Sequence, residues 1–567
     1  MNEIRVRRDL AMETRDGTRL MADVYFPPGP GPFPTLLYRV RGSKSSGFII
    51  GAILLNPVVA AERGYAVCIQ EVRGRGSSEG EWEPFVHEED DGVDTLEWLV
   101  AQPWCNGRVG SYGTAYTGFA SLAMAATGHP ALQAVVVAVS GVSPHDGWVY
   151  TNGGFELGWN TFWTYLTATE SLRRLPAEPG EKERIRTVLQ ADMESPVEVV
   201  NRLPITSRDA LAQLSPHYWE WLDHASYDPY WEKVDLAARA DQFTARVLSI
   251  TGWWDNFLGA HLQLYRELAN RSPTGADQSL VIGPWDHFTY VNVVPTMAGA
   301  RDFGPEGMAG PAITEPLALD WFDRWLKGAP EGATTRPGVR YYAVGGGGWQ
   351  ETPLWPPASM VTPWYLQGGG GLATVPPAPA PPSTYEYDPA DPTPTRGGRT
   401  LMPTLGPSGV QDQSELLGRP DLLEFTSAAL SDPVSVAGRV RLRLWAASSA
   451  VDTDFAAVLV DCAPSGERWL VADGFLRARH RNGFGRTDWL TPGEVVEYTI
   501  DLWDVAWTFA AGHRIGLHIS SASFPRFNRN LNVALPPGEG TLTEAVTASQ
   551  AIYHDPDHPS ALLLPQV

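Results

Sequence analysis

The chain has 567 residues, 43% hydrophobic and 19% charged, the composition of a globular protein too long for one core and expected to divide into about two to four domains. A formal net charge of −22 disfavours nucleic acid or an anionic membrane as partner, since both need clustered Lys and Arg. No apolar run is long enough to cross a bilayer.

The first residues carry charges with no apolar segment behind them, unlike a secretory leader. Cys68, Cys105 and Cys462 are odd in number and far apart, which speaks against a disulfide framework and fits a cytoplasmic location. Residues 18–26 alternate polar and apolar like a half-exposed strand. Residues 35–40, 65–69, 108–112 and 134–139 are short runs rich in β-branched and aromatic residues, with helical stretches at 90–101 and 118–127. That alternation predicts an α/β fold with a mainly parallel sheet covered on both faces.

From 144 to 237 aromatic-rich helical segments (155–168, 182–193, 218–224) replace the strands and read as a helical cap inserted into the first domain. Strand signals return at 246–251 and 279–282, and a helix at 317–327 closes this part. Proline and glycine punctuate 353–398, which reads as a linker with irregular strands. Beyond it, 423–427, 436–447, 455–462, 469–476, 494–501 and 514–520 are strands with turn residues between them, an all-β jelly-roll sandwich. The expected division is an α/β domain at 1–143 and 238–352, a cap at 144–237, and linker plus sandwich at 353–567.

The most informative segment is Asn106-Gly107-Arg108-Val109-Gly110-Ser111-Tyr112-Gly113-Thr114-Ala115-Tyr116-Thr117-Gly118. It reads as a strand running through a tight turn into a helix. Glycines two before and three after the centre let such a turn hold its middle side chain above a sheet, the geometry of a nucleophile elbow. Its centre is Ala115. Two later strands end in chemistry: Ser249 to Asn256 carries Asp255, and Val281 onward carries Asp286 and His287. In an open α/β sheet the carboxyl ends of the strands converge on the ligand, and the order elbow, acid, base is that of a hydrolase triad. A serine hydroxyl needs an imidazole to take its proton, and the imidazole needs a carboxylate to fix its tautomer. His287 and Asp255 fit those two roles. Asp286 competes, but neighbours on an extended strand point to opposite faces, which favours Asp255.

These residues, with Arg73-Gly74-Arg75-Gly76-Ser77-Ser78-Glu79-Gly80, Gly154-Phe155-Glu156-Leu157-Gly158, Gly283-Pro284-Trp285-Asp286-His287, Asp452-Thr453-Asp454-Phe455 and Phe524-Pro525-Arg526-Phe527-Asn528-Arg529-Asn530, carry a resemblance over nearly the full length. The chain resembles the family of cocaine esterase, X-prolyl dipeptidyl-peptidase and α-amino-acid ester hydrolase. The resemblance implies an α/β-hydrolase domain, a cap and a C-terminal jelly roll, with cleavage of small ester or amide bonds. It puts the catalytic serine on Ala115, and the triad's acid and base on Asp255 and His287. It builds the oxyanion hole from the backbone N–H of Tyr116 and a tyrosine whose place falls on Gly42. Loss of that donor costs about 10²–10³ in rate, and loss of the nucleophile about 10⁶.

Trp148, Phe155, Trp159, Trp163, Trp253 and Trp254 are candidate pocket walls, with ordinary core as the competing reading. The acids between His87 and Asp94 read as the first turn of a helix, complementing its dipole, in preference to a metal cluster. The 73–80 loop lacks a phosphate-binding lysine. Arg41 and Lys44, near the elbow, could meet an anionic substrate or simply be solvated. No cofactor or metal is expected, the partner is a small ester, amide or related molecule, and self-association stays open. Two functions remain: a serine-type hydrolase whose nucleophile position holds alanine, or a naturally serine-less enzyme. The second would use His287 and Asp255 as general base for elimination, cyclisation, isomerisation or cofactor-free oxygenation.

Overall fold

The computed structural model describes residues 3–46, 54–287, 289, 295–329 and 338–567. Among them the first sheet has ten strands: β1 (Arg5–Glu13), β2 (Arg19–Phe26), β3 (Phe33–Val40), β4 (Ala66–Glu71), β5 (Cys105–Thr114), β6 (Leu132–Ala138), β7 (Arg246–Trp254), β8 (Ser279–Asp286), β9 (Gly338–Ala343) and β10 (Gly348–Thr352). Their spatial order is β1-β2-β4-β3-β5-β6-β7-β8-β9-β10. From β4 to β9 neighbours run parallel, and every residue of β4 and β8 is buried, as expected of strands covered on both faces. Helices α1 (Glu88–Val100) and α2 (Ala115–Ala125) follow β4 and β5, and α5 (Leu258–Arg271) and α6 (Pro311–Lys327) lie after the cap.

β1 is not announced by the sequence. Its residues are almost all exposed and highly charged, and its register slips between Arg7 and Leu10. A charged, bulged edge strand shows no apolar alternation, which also discourages pairing with other chains. The cap contains α3 (Leu157–Arg174) and α4 (His217–Asp223) with shorter helices between them. A small hairpin, Tyr150–Thr151 with Gly154–Phe155, leads into α3.

The C-terminal domain is all β among its described residues apart from short 3-10 turns, with strands beginning at Met360 and ending at Gln566. Strand Val434–Ser448 organises it by pairing with Val496–Phe509, Ala548–Tyr553 and Ala561–Gln566. The molecule is an α/β-hydrolase domain with an inserted cap and a C-terminal jelly-roll sandwich. Strands Met360–Gln367 and Ser383–Tyr387 fall in the proline-rich stretch, where the sequence signals irregularity more than pairing. Ala548–Tyr553 and Ala561–Gln566 go unannounced as well. The three cysteines are free and buried, and no helix among the described residues is long and apolar enough to cross a membrane.

Candidate active site

The elbow is built by steric necessity. Ala115 sits at φ 48°, left-handed territory that costs an L-residue about 1 kcal/mol or more. A Cβ on Gly113 would lie 2.3 Å from the Thr117 carbonyl group, and one on Gly118 would lie 2.7 Å from Ser140 Oγ. Only glycine fits either place. Thr114 N–H donates to Thr117 Oγ1 at 2.8 Å, Thr117 Oγ1 donates back to the Thr114 carbonyl at 2.8 Å, and Ser140 Oγ donates to the Ala115 carbonyl at 3.0 Å. The Ala115 methyl is held half-exposed at the apex. The Tyr116 amide is in the first turn of α2, among those with no carbonyl one turn back.

The Tyr116 ring is buried beneath the apex. Its hydroxyl donates to Glu88 Oε1 at 2.8 Å and accepts from the Phe85 amide at 3.1 Å, and Glu88 is paired with buried Arg39 at 2.7 Å. Burial raises the Glu88 carboxyl, against the pull of Arg39.

His287 Nδ1 lies 2.9 Å from Oδ1 of Asp255, which follows β7 and is completely buried. Asp255 Oδ2 has no hydrogen-bond partner among the described residues. The carboxylate on Nδ1 orients the ring, as the base of a triad requires. The Asp286 carboxylate is engaged elsewhere, accepting from Thr289 at 2.6 and 2.7 Å and from Ser408 Oγ at 2.6 Å.

An aromatic chain links the elbow to the base. Tyr116 meets Trp148 at 6.3 Å, Trp148 stacks on Phe257 at 4.6 Å, and Phe257 meets the His287 ring edge-on at 5.4 Å. Trp159 joins Trp148 at 5.6 Å and Phe257 at 6.0 Å, and Trp163 lies 6.2 Å from Tyr116. Trp253 and Trp254 pack in a different cluster from these rings. Trp253 donates to the Tyr342 carbonyl at 2.7 Å and packs on Trp355, while Trp254 donates to the Val471 carbonyl at 3.3 Å. Both belong to the core shared with the jelly roll. Phe155 lies in the same buried cluster as Trp148 and Trp163, its ring against Tyr150 at 5.4 Å and Tyr218 at 5.7 Å, while its amide donates to Asn528 Oδ1 at 3.2 Å. Fully apolar strand ends look alike in sequence whether they face a cleft or a neighbouring domain.

Gly42 lies in a bend just past β3 and offers no side-chain donor. Lys44 is committed to Asp9 at 2.8 Å and lies near Glu71 at 3.6 Å and Asp23 at 3.9 Å. The acids opening α1 each meet an arginine: Glu88 with Arg39, Glu89 with Arg239, Asp90 with Arg15 and Asp91 with Arg73. No group of metal-ligating side chains occurs among the described residues. His261, Phe257, Trp82 and His217 all stand near the site and carry no motif that sequence reading could use, and Arg75 lies in the 73–80 motif without any sign there of its place at the site. His261 is fully buried, accepts the Ser140 amide at 3.4 Å, and is driven down to about 4 by burial, against the attraction of Asp255.

A strained elbow at the end of a central parallel strand, followed in chain order by a buried acid and its histidine, defines an α/β-hydrolase of the serine type with alanine at its apex. Residues 16–289 match the X-Pro dipeptidyl-peptidase (S15 family) profile, and residues 331–563 match the X-Pro dipeptidyl-peptidase C-terminal non-catalytic domain. The chain is 34% identical over 579 residues to the cocaine esterase of Rhodococcus sp. (strain MB1 Bresler), covering 99% of this chain and 98% of that one. It belongs to this family of hydrolases. An aminopeptidase from a marine sediment Thaumarchaeota archaeon superposes with a TM-score of 0.85 at 25% identity, covering 100% of this chain and 96% of that one. An α-amino acid ester hydrolase gives a TM-score of 0.81 at 25% identity, covering 100% and 97%.

Proposed function

We propose that the cleft above Ala115 receives a small ester, amide or related substrate, and that the chain is inactive as a covalent hydrolase. The observation that carries this is a methyl group at the strained apex where the reaction needs a hydroxyl. Without Oγ no acyl-enzyme can form, and with glycine at 42 the side-chain oxyanion donor is missing too. The remaining donor is the Tyr116 amide. The substrate class is supported by what the relatives are named for, cocaine esterase and α-amino acid ester hydrolase.

The direct test is Ala115→Ser. The variant should react with a fluorophosphonate and give a burst on an activated ester, while the unmodified chain does neither. Absence of labelling in a folded variant would sink the reading.

A second reading is favoured by the 2.9 Å contact between His287 and the buried Asp255. Such a pair still accepts a proton from a bound substrate, which suits elimination, cyclisation, isomerisation or cofactor-free oxygenation. It gains if the unmodified chain converts a substrate, His287→Ala abolishes that conversion, and Ala115→Ser stays unlabelled.

A further inference from the structure

Two arginines near the elbow form no salt bridge with a carboxylate among the described residues. Arg41 immediately follows β3, and Arg75 lies in the loop after β4. These strands are parallel neighbours beside the elbow strand, so both residues arise at the carboxyl end of the sheet. The Arg75 side chain is 1% exposed, and its guanidinium lies 3.8 Å from the centre of the Trp82 ring. Its Nη1 donates to Ser171 Oγ at 3.2 Å, but Nε and Nη2 are buried with no hydrogen-bond partner among the described residues. Arg41 is half-buried with its guanidinium 5.7 Å from the Trp163 ring centre, and it has no carboxylate partner among the described residues. Trp82 and Trp163 are 5.4 Å apart, and each lies about as close to Tyr116, the residue after the apex. His217 closes the group, 5.8 Å from Trp82 and 5.9 Å from Trp163, with a buried Nε2 that also lacks a partner.

Unpaired buried guanidinium is expensive, and a fold that needed only packing there would place an apolar side chain. Burial lowers both arginines, Arg75 to about 10, which leaves Arg75 cationic at neutral pH. The nearby carboxylate, Glu170, accepts from the Gly76 amide at 2.9 Å and forms a salt bridge with neither. Its charge offsets one of the two while Arg174 adds another, so the group keeps a net positive charge suited to an anion. The Arg75 loop is also held rigid, because Arg174 of the cap helix donates to the Gly76 carbonyl at 3.1 Å and the Ser78 carbonyl at 2.8 Å. A rigid pair of planar donors beside aromatic faces matches the geometry of a carboxylate.

We propose that Arg41 and Arg75 form a carboxylate-binding subsite, so that the ligand of this cleft is a small ester or amide bearing a free carboxylate. This rests on the cleft being the substrate site, and extends it by naming the substrate's charge. The subsite is tested on the unmodified chain by calorimetry and tryptophan fluorescence, with Trp82 beneath Arg75 as reporter. The probes are the half-methyl esters of succinate and glutarate, their neutral dimethyl esters, and inorganic phosphate. The half-esters should bind, with the dimethyl esters and phosphate weaker by about tenfold or more. Arg41→Gln and Arg75→Gln should each weaken half-ester binding by about 10- to 100-fold and leave the dimethyl esters unchanged, with Arg75→Lys intermediate. No saturable half-ester binding, equal affinity for half-ester and diester, or undiminished half-ester affinity in folded glutamine variants would each overturn the proposal. Ala115→Ser separates the two readings. If it resists fluorophosphonate while half-esters still bind, the hydrolase reading falls and the subsite stands. If it is labelled but shows no preference for the half-ester, the subsite falls alone.

Discussion

Buried arginines occur in two regions of this molecule under opposite terms. At the seam between the α/β domain and the jelly roll, Arg477 meets Asp454 with two bonds of 2.9 Å and also donates to Asn528. Arg526 bridges Glu156 of the cap and Asp473 of the sandwich. Arg399 spends its donors on the carbonyls of Trp253, Leu502, Asp473 and Asp504. Near the elbow, Arg75 keeps two donors and Arg41 its charge without a carboxylate partner among the described residues, whereas at the seam only single Nε donors, of Arg479 and Arg529, go unmet. A satisfied buried charge fixes how two domains meet, whereas an unsatisfied one is stability given up at a place meant to be filled.

The sharpest way to break that contrast is to remove one charge from each region. Asp454→Ala strands Arg477 in the core and should cost about 3–5 kcal/mol in urea unfolding. Arg75→Met, by contrast, removes a charge that has no carboxylate partner. It should stay within about 1 kcal/mol of the unmodified chain, the lost ring contact being offset by relief of desolvation. If Arg75→Met proves as damaging as Asp454→Ala, the cleft arginine is a structural element like those at the seam.

Histidines sharpen the same comparison through pH. His145 lies on the seam side, packed between Tyr150, Tyr227, Trp231 and Phe484, with Nε2 3.1 Å from the Ala225 carbonyl. Burial lowers it to about 4. The unfolded chain therefore takes up a proton below about 6.5 that the folded chain refuses. Its contribution is complete above pH 6.5 and is lost at about 1.4 kcal/mol per pH unit as pH falls from there to 4. His145→Phe should flatten the stability curve across that window and leave it unchanged above pH 7. Neighbouring Asp146, raised to about 6 by burial, works in the opposite direction and persists in both proteins, so the difference isolates His145.

The same division explains what the sequence made legible. The elbow, Asp255 and His287 could be read because each sits at a strand end whose periodicity is plain and whose residue types have one chemical use together. The motifs from Gly154 to Gly158, Asp452 to Phe455 and Phe524 to Asn530 could be read as family marks but not as parts. The structure assigns them to the seam: Phe155 to Asn528, Glu156 to Arg526, Asp454 to Arg477. Trp253 and Trp254 were unreadable for a related reason, since a tryptophan at a strand end is equally apt for a cleft wall or a domain contact. Arg75 lies in the glycine-rich 73–80 loop, yet what distinguishes it is its lack of partners among the described residues, and absence has no sequence pattern.

The smallest effect concerns the apex itself. Ala115 keeps a φ of 48° although it carries no nucleophile for that conformation to display. Its surroundings enforce the turn: the Thr114–Thr117 exchange, the Ser140 bond to its carbonyl, and the steric limits at Gly113 and Gly118. Glycine adopts this conformation without the Cβ penalty, so Ala115→Gly should raise stability by roughly 0.5–1 kcal/mol, less a small loss of helix propensity at the start of α2. Thermal unfolding measures it, and half-ester binding should not change. A neutral or destabilising result would mean that the methyl group makes contacts worth as much as the strain. The apex would then be a packed position rather than a display position, and the case that it once presented a side chain to a substrate would weaken.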